Sequence, residues 1–323
     1  MTAVRSFAML AAGALASLTL SGVASSADAD GNAQGLADAS RATQVATAPE
    51  SPRTAREVRR YWTSARMAAA VPIEDVVPGL TLSGPATGAA PTQDRTGPRN
   101  VRAPRSTGKL FFSDNGADYV CSAAAIQTKK RNQVITAGHC VHTGPHPEGL
   151  LQQPHFYSDW LFVPRYRNGR APFGRWVGTS AWAFNGWIEH ERFRFDQAIV
   201  SFARRGRERL VDAVGGNEVV WGKRQREWGV RIWGWPAEAP YDGETARRCD
   251  GRTTRFEDTA DAAMRQCDLN GGASGGPWFL PRGRTINTGR IWAVTSRRIL
   301  TEPVLLARPI PREIRRMIRA ANR

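Results

Sequence analysis

From residue 107 onward, short apolar or β-branched runs alternate with turn-forming residues. The clearest runs are residues 110–112, 119–126, 134–137, 161–163, 175–177, 197–202, 230–233 and 291–295. Each run is too short for a typical helix, and many short strands joined by Gly- and Pro-rich turns are typical of a β-sandwich or barrel. Near the end, Ile314, Met317 and Ile318 fall on one face of a short predicted helix. The sequence therefore predicts an all-β domain with a short C-terminal helix.

The first 27 residues have the pattern of a secretory signal peptide. Arg5 precedes an apolar stretch over residues 7–20, and the small residues Ser25 and Ala27 come next at the spacing of a cleavage site. The stretch is too short to span a bilayer comfortably. A buried N-terminal helix is the alternative. We expect a chain that is secreted to the extracellular space, and no later stretch approaches the length of a membrane span.

Residues 28–106 differ in amino-acid composition from the residues that follow. They contain no cysteine and are rich in Ala, Thr, Ser and Pro. Residues 51–70 have helical spacing that Pro72 would end, and Gly and Pro then interrupt the chain repeatedly as far as Pro104. We interpret residues 28–106 as a pro-segment and linker, with Arg99, Arg102 and Arg105 as candidate processing points, and residues 107–323 as the main domain. A retained extension is the alternative.

Ser274 lies in a run of small residues over 272–277, Gly-Ala-Ser-Gly-Gly-Pro, which leads into the apolar residues 278–280. Glycines beside a serine let backbone N–H groups approach a substrate closely. Acyl transfer needs a hydroxyl nucleophile next to donors for the developing oxyanion. Glycine-rich turns are common, so this motif alone leaves an ordinary turn open.

His139 lies 135 residues upstream of this serine, in the sequence Thr-Ala-Gly-His-Cys at the end of an apolar run. A disulfide between Cys140 and Cys121 would tie the histidine's turn to the preceding strand, and closing such a loop is worth about 3 kcal/mol in the chain-entropy model. His142 and His146 lie nearby, but no cysteine or carboxylate pattern accompanies them. We interpret those two as solvated loop histidines and expect no metal and no cofactor.

Thr-Ala-Gly-His-Cys and Gly-Ala-Ser-Gly-Gly-Pro, in that order, resemble the trypsin/chymotrypsin-like serine peptidases. The nearer resemblance is to the secreted bacterial branch, which includes glutamyl-endopeptidase-like enzymes. Residues 108–112 and 119–122 also resemble the first strands of that branch. The resemblance covers about residues 107–315. It implies a double six-stranded antiparallel β-barrel with the active site in the cleft between the barrels.

The resemblance also implies roles for particular residues. The family order is His, Asp, Ser, so the acid should lie between 139 and 274, and Asp196 fits best because it precedes the apolar strand 197–200. Ser274 would be the nucleophile, His139 the general base and Asp196 its orienting acid. The N–H groups of Gly272 and Ser274 would form the oxyanion hole. The alternative for Asp196 is a turn cap or an ion pair with Arg192 or Arg194.

One residue departs from the family's animal members. They carry an aspartate immediately before the nucleophile, which pairs with a newly freed N-terminus, whereas this chain has Ala273. Alanine cannot make that pair. A zymogen of this sequence would therefore be controlled differently, for example by a pro-segment that covers or templates the cleft.

Substrate specificity stays open on the sequence alone. Asp268 stands where trypsin-like enzymes carry the acid of the S1 pocket, which would favour a basic side chain. Thr295 and Arg297 occupy the expected pocket wall, and Arg297 or Arg298 could instead attract an acidic side chain. Neither preference is the third possibility. Of the three possible disulfide connectivities, we prefer Cys121–Cys140 with Cys249–Cys267.

The chain is strongly basic, with a net charge of +16. No nucleic-acid motif accompanies the charge, so we do not expect nucleic acid as a partner. A solvated arginine-rich surface, or attraction to an anionic cell wall, explains it better. We therefore expect a monomeric secreted serine endopeptidase acting on proteins or peptides. The alternative is a catalytically silent peptidase-like domain that binds a cell surface or ligand through its basic charge.

Overall fold

A computed structural model describes residues 35, 37–77, 79–82, 99–145, 153–281 and 287–323. The chain divides into two units, Met1–Asp38 and Ala39–Arg323. In the first unit, only residues 35, 37 and 38 are described, all helical. The expected signal peptide, His146 and residues 83–98 of the expected linker lie outside the described residues. The elements and the candidate site all belong to the second unit.

The N-terminal part of this unit forms short elements. Its strands are β1 (Val45–Thr47), β2 (Val71–Pro72), β3 (Thr81–Leu82) and β4 (Arg99–Asn100), and its helices are α1 (Ala55–Tyr61) and α2 (Ser64–Ala69). The sequence predicts one helical stretch over 51–70, whereas the structure breaks it at Trp62 and Thr63. The Thr63 hydroxyl accepts from the Arg66 N–H and begins the second helix, as a capping threonine does. The Trp62 side chain is fully buried and donates its indole N–H to the Asp159 carbonyl at 2.7 Å.

The first sheet closes into a six-stranded antiparallel barrel. Its strands are β5 (Thr107–Asp114), β6 (Ala117–Ile126), β7 (Gln133–Thr136), β8 (Ser158–Pro164), β9 (Trp176–Phe184) and β10 (Ala198–Phe202). The order is β9-β10-β7-β6-β5-β8, and the pairing of β8 with β9 closes the ring. Helices α3 (Asn185–Ile188) and α4 (Leu210–Val214) flank β10 along the chain.

The second sheet is a half-barrel. Its strands are β11 (Glu218–Val219), β12 (Val230–Gly234), β13 (Arg247–Gly251), β14 (Thr254–Arg255), β15 (Ala262–Arg265), β16 (Pro277–Phe279), β17 (Arg290–Ile299) and β18 (Val304–Pro309). The order is β14-β15-β18-β17-β16-β12-β13-β4, with β11 and β3 also paired to β17. The all-β, chymotrypsin-like fold expected from the sequence is confirmed.

The β5–β6 hairpin arises directly from its sequence. Asn115 and Gly116 both have positive φ, 47° and 88°, the backbone of a tight two-residue hairpin turn that Asn-Gly favours. Leu110 and Phe112 point into the barrel's apolar cluster. Phe111 points to the opposite face, where its ring lies 5.4 Å from that of Trp62. The uninterrupted apolar run therefore has both faces buried, because the N-terminal helices cover the outer one.

Two disulfides are present in the structure, Cys121–Cys140 and Cys249–Cys267, with the preferred connectivity. The C-terminal helix α5 (Ile314–Ala321) buries Ile314 and Met317, as its spacing predicts. It packs beside β7, where Gln133 donates to the Ala321 carbonyl at 2.6 Å. Among the described residues, no helix combines the length and apolar character that a membrane crossing requires.

Candidate active site

Neighbouring strands of the first barrel bring His139 and Asp196 together. His139 lies in a single 3₁₀ turn, Gly138–Cys140, directly after β7. Asp196 comes after another 3₁₀ turn, Phe193–Phe195, directly before β10. Strands β7 and β10 are antiparallel partners with Thr136 opposite Ala198, so the region after one strand meets the region before the other. The disulfide at Cys140 holds the histidine's turn against β6.

His139 and Asp196 form a buried hydrogen-bonded pair. The His139 Nδ1 atom lies 2.9 Å from Oδ2 of Asp196 and 3.1 Å from Oδ1. The His139 backbone N–H donates to Oδ1 at 2.9 Å, and the Ser296 hydroxyl donates to Oδ2 at 2.6 Å. Both side chains of the pair are fully buried. Arg194 pairs instead with Glu313 at 3.0 Å, so Asp196 is oriented by the histidine and Ser296.

Ser274 is held by a glycine turn between β15 and β16. Gly272 and Gly275 have φ of 90° and 75°, a region that glycine adopts without strain. A methyl group at 272 would lie 2.7 Å from the Trp235 carbonyl, and one at 275 would collide with the Thr136 hydroxyl. Gly275 therefore packs directly on Thr136, the last residue of β7, which lies three residues before His139 in the sequence. The Ser122 N–H also donates to the Ser274 carbonyl at 2.7 Å, tying the serine's turn to the first barrel.

The N–H groups of Gly272 and Ser274 converge on one acceptor. They donate to Oε2 and Oε1 of Glu74, at 3.0 and 3.3 Å. Two backbone donors that share a carboxylate form an anion site of the kind that stabilises an oxyanion. Glu74 comes from the 3₁₀ turn Ile73–Asp75, some 200 residues away in the sequence.

Charge and burial act in opposite directions on the pair. Burial by itself lowers the pKa of His139, but the charge and hydrogen bond of Asp196, together with the charges of Glu74 and Glu191, raise it above its ordinary value overall. Burial raises the pKa of Asp196, and the contacts with His139 and Ser296 more than offset this, so that pKa is lowered. The pair therefore favours an ionised Asp196. The Nε2 atom of His139 is buried and has no hydrogen-bond partner within the described part of the chain.

A pH titration tests this electrostatic arrangement. Because three anions raise the pKa of His139, we expect the imidazole of the full-length chain to lose its proton at a pH above the ordinary value of about 6.5. Glu74→Gln removes one of those anions and should lower the midpoint. NMR of the imidazole carbons would measure both values. His155, whose pKa is raised through Asp114, is the control and should titrate identically in the two proteins.

The three S1 candidates occupy different surroundings. Asp268 is exposed, accepts from the Tyr241 hydroxyl at 3.1 Å, and borders a cavity of about 290 Å³. Thr295 is buried and accepts from the Trp278 indole at 3.0 Å. Arg297 pairs with Asp261 and lies over the Phe193 ring at 3.8 Å. Asp268 is thus the candidate that lines the cavity.

The same cavity contains charged groups that the sequence alone does not single out as a set. It is also lined by Glu238, Arg298 and Glu302. Arg298 pairs with Glu238 at 2.6 Å, so the arginine that lines the cavity is 298 and not 297.

Sequence reasoning missed two residues of the site. Ser296 belongs to β17, and its only sequence signal is a hydroxyl in the strand after the nucleophile. Glu74 belongs to the segment interpreted as pro-segment and linker, and nothing in its sequence signals contact with Ser274. Ala273 is buried in the apolar cluster of the second sheet, with Trp278 and the Cys249–Cys267 disulfide.

Among the described residues, one group of possible metal ligands lies close together. The donor atoms of Cys121, His139 and Cys140 lie within 4.8 Å of one another. Both sulfur atoms are joined in the Cys121–Cys140 disulfide, and metal binding needs thiolates. The imidazole Nδ1 is engaged by Asp196. This donor set does not fit a metal ion, and the sequence contains no H-E-x-x-H motif.

Comparison with known proteins gives the fold a context. The protease Anisep from Arthrobacter nicotinovorans is 27% identical, with a TM-score of 0.62 over 69% of this chain and 98% of that one. The thermostable serine protease AL20 from an extremophilic microorganism is 26% identical, with a TM-score of 0.61 over 68% and 97%. A Glu endopeptidase is 18% identical, with a TM-score of 0.53 over 70% and 96%, and supports the fold alone.

Comparisons of sequence alone give less similarity than the comparisons of structure. No family model matches the chain. An extracellular metalloprotease of Bacillus subtilis is 24% identical over 113 residues, which is 35% of this chain and 29% of that protein. The chain thus spans less than a third of that relative's length. Taken together, the chain has the fold of the bacterial trypsin/chymotrypsin-like serine proteases and is similar to them, which supports a peptidase.

Proposed function

We propose that the chain is a secreted serine endopeptidase that hydrolyses peptide bonds through His139, Asp196 and Ser274. One observation carries the proposal. A buried imidazole–carboxylate pair lies beside a glycine-flanked serine whose own N–H, with that of Gly272, binds a carboxylate. The fold in which this occurs is similar to solved serine proteases. General base, nucleophile and oxyanion donors are thereby present in one site.

The residues act in a defined order in this proposal. Ser274 Oγ forms a bond to the scissile carbonyl carbon while its proton passes to His139 Nε2. Asp196 holds the other ring nitrogen, which keeps Nε2 free to accept a proton and stabilises the imidazolium that forms. The N–H groups of Gly272 and Ser274 receive the negative oxygen, and one such donor is worth roughly 3–4 kcal/mol. His139 then gives its proton to the leaving amine, and water hydrolyses the acyl-enzyme by the same steps.

The charge of the cavity beside Asp268 supports a preference for substrates with a basic side chain over those with an acidic one. Asp268, Glu238 and Glu302 contribute three carboxylates to its lining, against the single guanidinium of Arg298. Of the two arginines that could have attracted an acidic side chain, Arg297 pairs with Asp261 and Arg298 pairs with Glu238. Mapping of cleavage sites in a denatured protein tests this preference directly.

Export and processing belong to the same proposal. The boundaries remain 1–27 for a signal peptide, 28–106 for a pro-segment and linker, and 107–323 for a monomeric peptidase domain. Two disulfides and the similarity to an extracellular protease fit a secreted protein. Of the candidate processing points, Arg99 and Arg102 are exposed and Arg105 is half-buried, which favours cleavage at the first two.

A second candidate function rests on an arginine-lined cavity of about 460 Å³. Arg102, Arg165, Arg167 and Arg170 line it, and no carboxylate does among the residues that are described there. Burial and the neighbouring charges of Arg102 and Arg105 lower the pKa of Arg165 to about 10. This cavity favours the alternative function, a catalytically silent domain that binds an anionic cell wall or ligand.

Fluorophosphonate labelling of the protein secreted into the medium distinguishes these functions. We expect one adduct by intact mass, located on Ser274 by peptide mapping, and none in the Ser274→Ala or His139→Ala variants. The same spectrum reports where the secreted chain begins. A folded protein that takes no label after its N-terminal piece has been cut and has left would contradict the peptidase and favour the anion-binding domain.

A further inference from the structure

Residues 71–77 and 79–82, which we call the cleft segment, lie at the candidate active site, with β2 at one end and β3 at the other. At its start, β2 pairs parallel with β6 of the first barrel. At its end, β3 pairs parallel with β17 of the second sheet, with Thr81 opposite Arg298. The Arg298 N–H also donates to the Leu80 carbonyl at 3.1 Å. The segment therefore uses the strand that carries Ser296 as a docking edge.

Apolar side chains hold the cleft segment on both sides of the site. Ile73 is buried in the apolar cluster of the first barrel, and Leu80 is fully buried. Pro72 packs so closely on Gly271 that a methyl group there would lie 2.8 Å from the proline ring. Under this cover His139 is fully buried and Ser274 is 2% exposed. A substrate has no access to either group while the segment stays docked.

Glu74 is the residue that the cleft segment places on the catalytic groups. Its two carboxylate oxygens accept the N–H groups of Gly272 and Ser274, the donors proposed for the oxyanion. Its charge also acts on His139. A carboxylate offers these donors a negative oxygen, as a tetrahedral intermediate does. It is also the functional group of the acid that peptide hydrolysis produces.

A carboxylate in this position binds without reacting. Attack by Ser274 on the Glu74 carboxylate carbon would have to expel an oxide or hydroxide, whereas a peptide carbonyl expels an amine that His139 can protonate. Two backbone carbonyls of the segment are already engaged, that of Ile73 by the Val76 N–H and that of Leu80 by the Arg298 N–H. The segment thus fills the site with a group that the proposed chemistry does not cleave.

We infer that the full-length chain is autoinhibited, and that the Glu74 carboxylate is the inhibitory group, a product-like anion bound in the oxyanion hole. This inference rests on the proposed peptidase function. Because Ala273 cannot pair with a freed N-terminus, activation must be controlled by another residue, and the inference assigns that role to Glu74. Release of the cleft segment would empty the oxyanion hole and uncover Ser274 and His139 together.

The test compares full-length chains that differ at one carboxylate. Glu74→Gln keeps the size of the side chain, but it loses the charge and presents an NH₂ group toward one of two N–H donors. Glu57→Gln is the matched control, because Glu57 lies in the same N-terminal part and only caps α1 through Thr54. The readout is the rate of fluorophosphonate labelling of Ser274 in chains that intact mass confirms to be unprocessed.

We expect Glu74→Gln to be labelled roughly tenfold faster or more than the wild type, since charge-assisted hydrogen bonds are among the stronger ones, and Glu57→Gln to match the wild type. Equal rates for Glu74→Gln and wild type, with rapid labelling of the processed secreted protein, would overturn the role of Glu74. So would slower labelling of Glu74→Gln, which would mean that Glu74 shapes the loop for catalysis. Failure of the processed protein to take label after the severed N-terminal piece has left it, as size-exclusion chromatography would show, would instead contradict the peptidase function itself.

Discussion

Replacing Ser274 by alanine is expected to lower kcat of the processed protein on a peptide substrate by about a million-fold. The oxygen removed is the one that forms the acyl-enzyme in the proposed mechanism. The N–H of residue 274 remains, so the oxyanion site itself is retained. Steady-state kinetics with a fluorogenic peptide would measure the loss.

Ser180→Ala is the control for that experiment. Ser180 is half-buried on β9, which pairs with β10 and β8 and not with β6 or β7, the two strands that contact the serine turn. Its loss should leave kcat within about twofold of the wild type, as surface changes usually do. Near-normal activity of the Ser274→Ala variant would place the chemistry elsewhere. It would also leave the anion-binding domain as the better account of the fold.

Asp196→Asn is expected to lower kcat by about ten-thousand-fold. The carboxylate now accepts from the His139 backbone N–H, the imidazole and the Ser296 hydroxyl. An asparagine has one acceptor oxygen and one NH₂ group. If the NH₂ faces the ring, Nδ1 must become the acceptor, the proton moves to Nε2, and His139 can no longer act as a base toward Ser274.

Ser296→Ala separates this tautomer effect from simple loss of packing. It removes one hydrogen bond to the charged carboxylate, which is worth about 1.5–3 kcal/mol, while Asp196 keeps its two contacts with His139. We expect activity to fall by roughly ten- to a hundred-fold, far less than in Asp196→Asn. Thermal unfolding of both variants would show whether they are folded. Equal losses in the two would contradict the tautomer argument.

Local signals account for the parts of the structure that the sequence predicted. The Asn115-Gly116 turn needs only two residues to specify a hairpin, and the run before His139 is recognisable as a strand end. Asp196 could be selected through the family resemblance, which implies an acid between His139 and Ser274 in front of an apolar strand. The structure then supplied the reason, which is the pairing of β7 with β10.

Tertiary pairing accounts for the parts that the sequence did not predict. Strands β2 and β3 are two residues long, and each exists only because a distant strand offers it an edge. Their Gly- and Pro-containing surroundings have no periodicity to detect. The partners of Arg297 and Glu74 are likewise distant in the sequence, so an expected pocket residue proved to be paired with Asp261, and an unremarked glutamate proved to touch Ser274.

The docking of the N-terminal part has a kinetic consequence. Trp62 is buried against Phe111, Arg53 pairs with the buried Asp159, and β1 is hydrogen-bonded to β9. None of these contacts depends on the peptide bonds near Arg99 or Arg102. Under the proposed autoinhibition, a cut there would leave a nicked but still silent complex. Activity would then appear only after a lag, at a rate set by first-order departure of the severed piece and independent of the amount of processing protease.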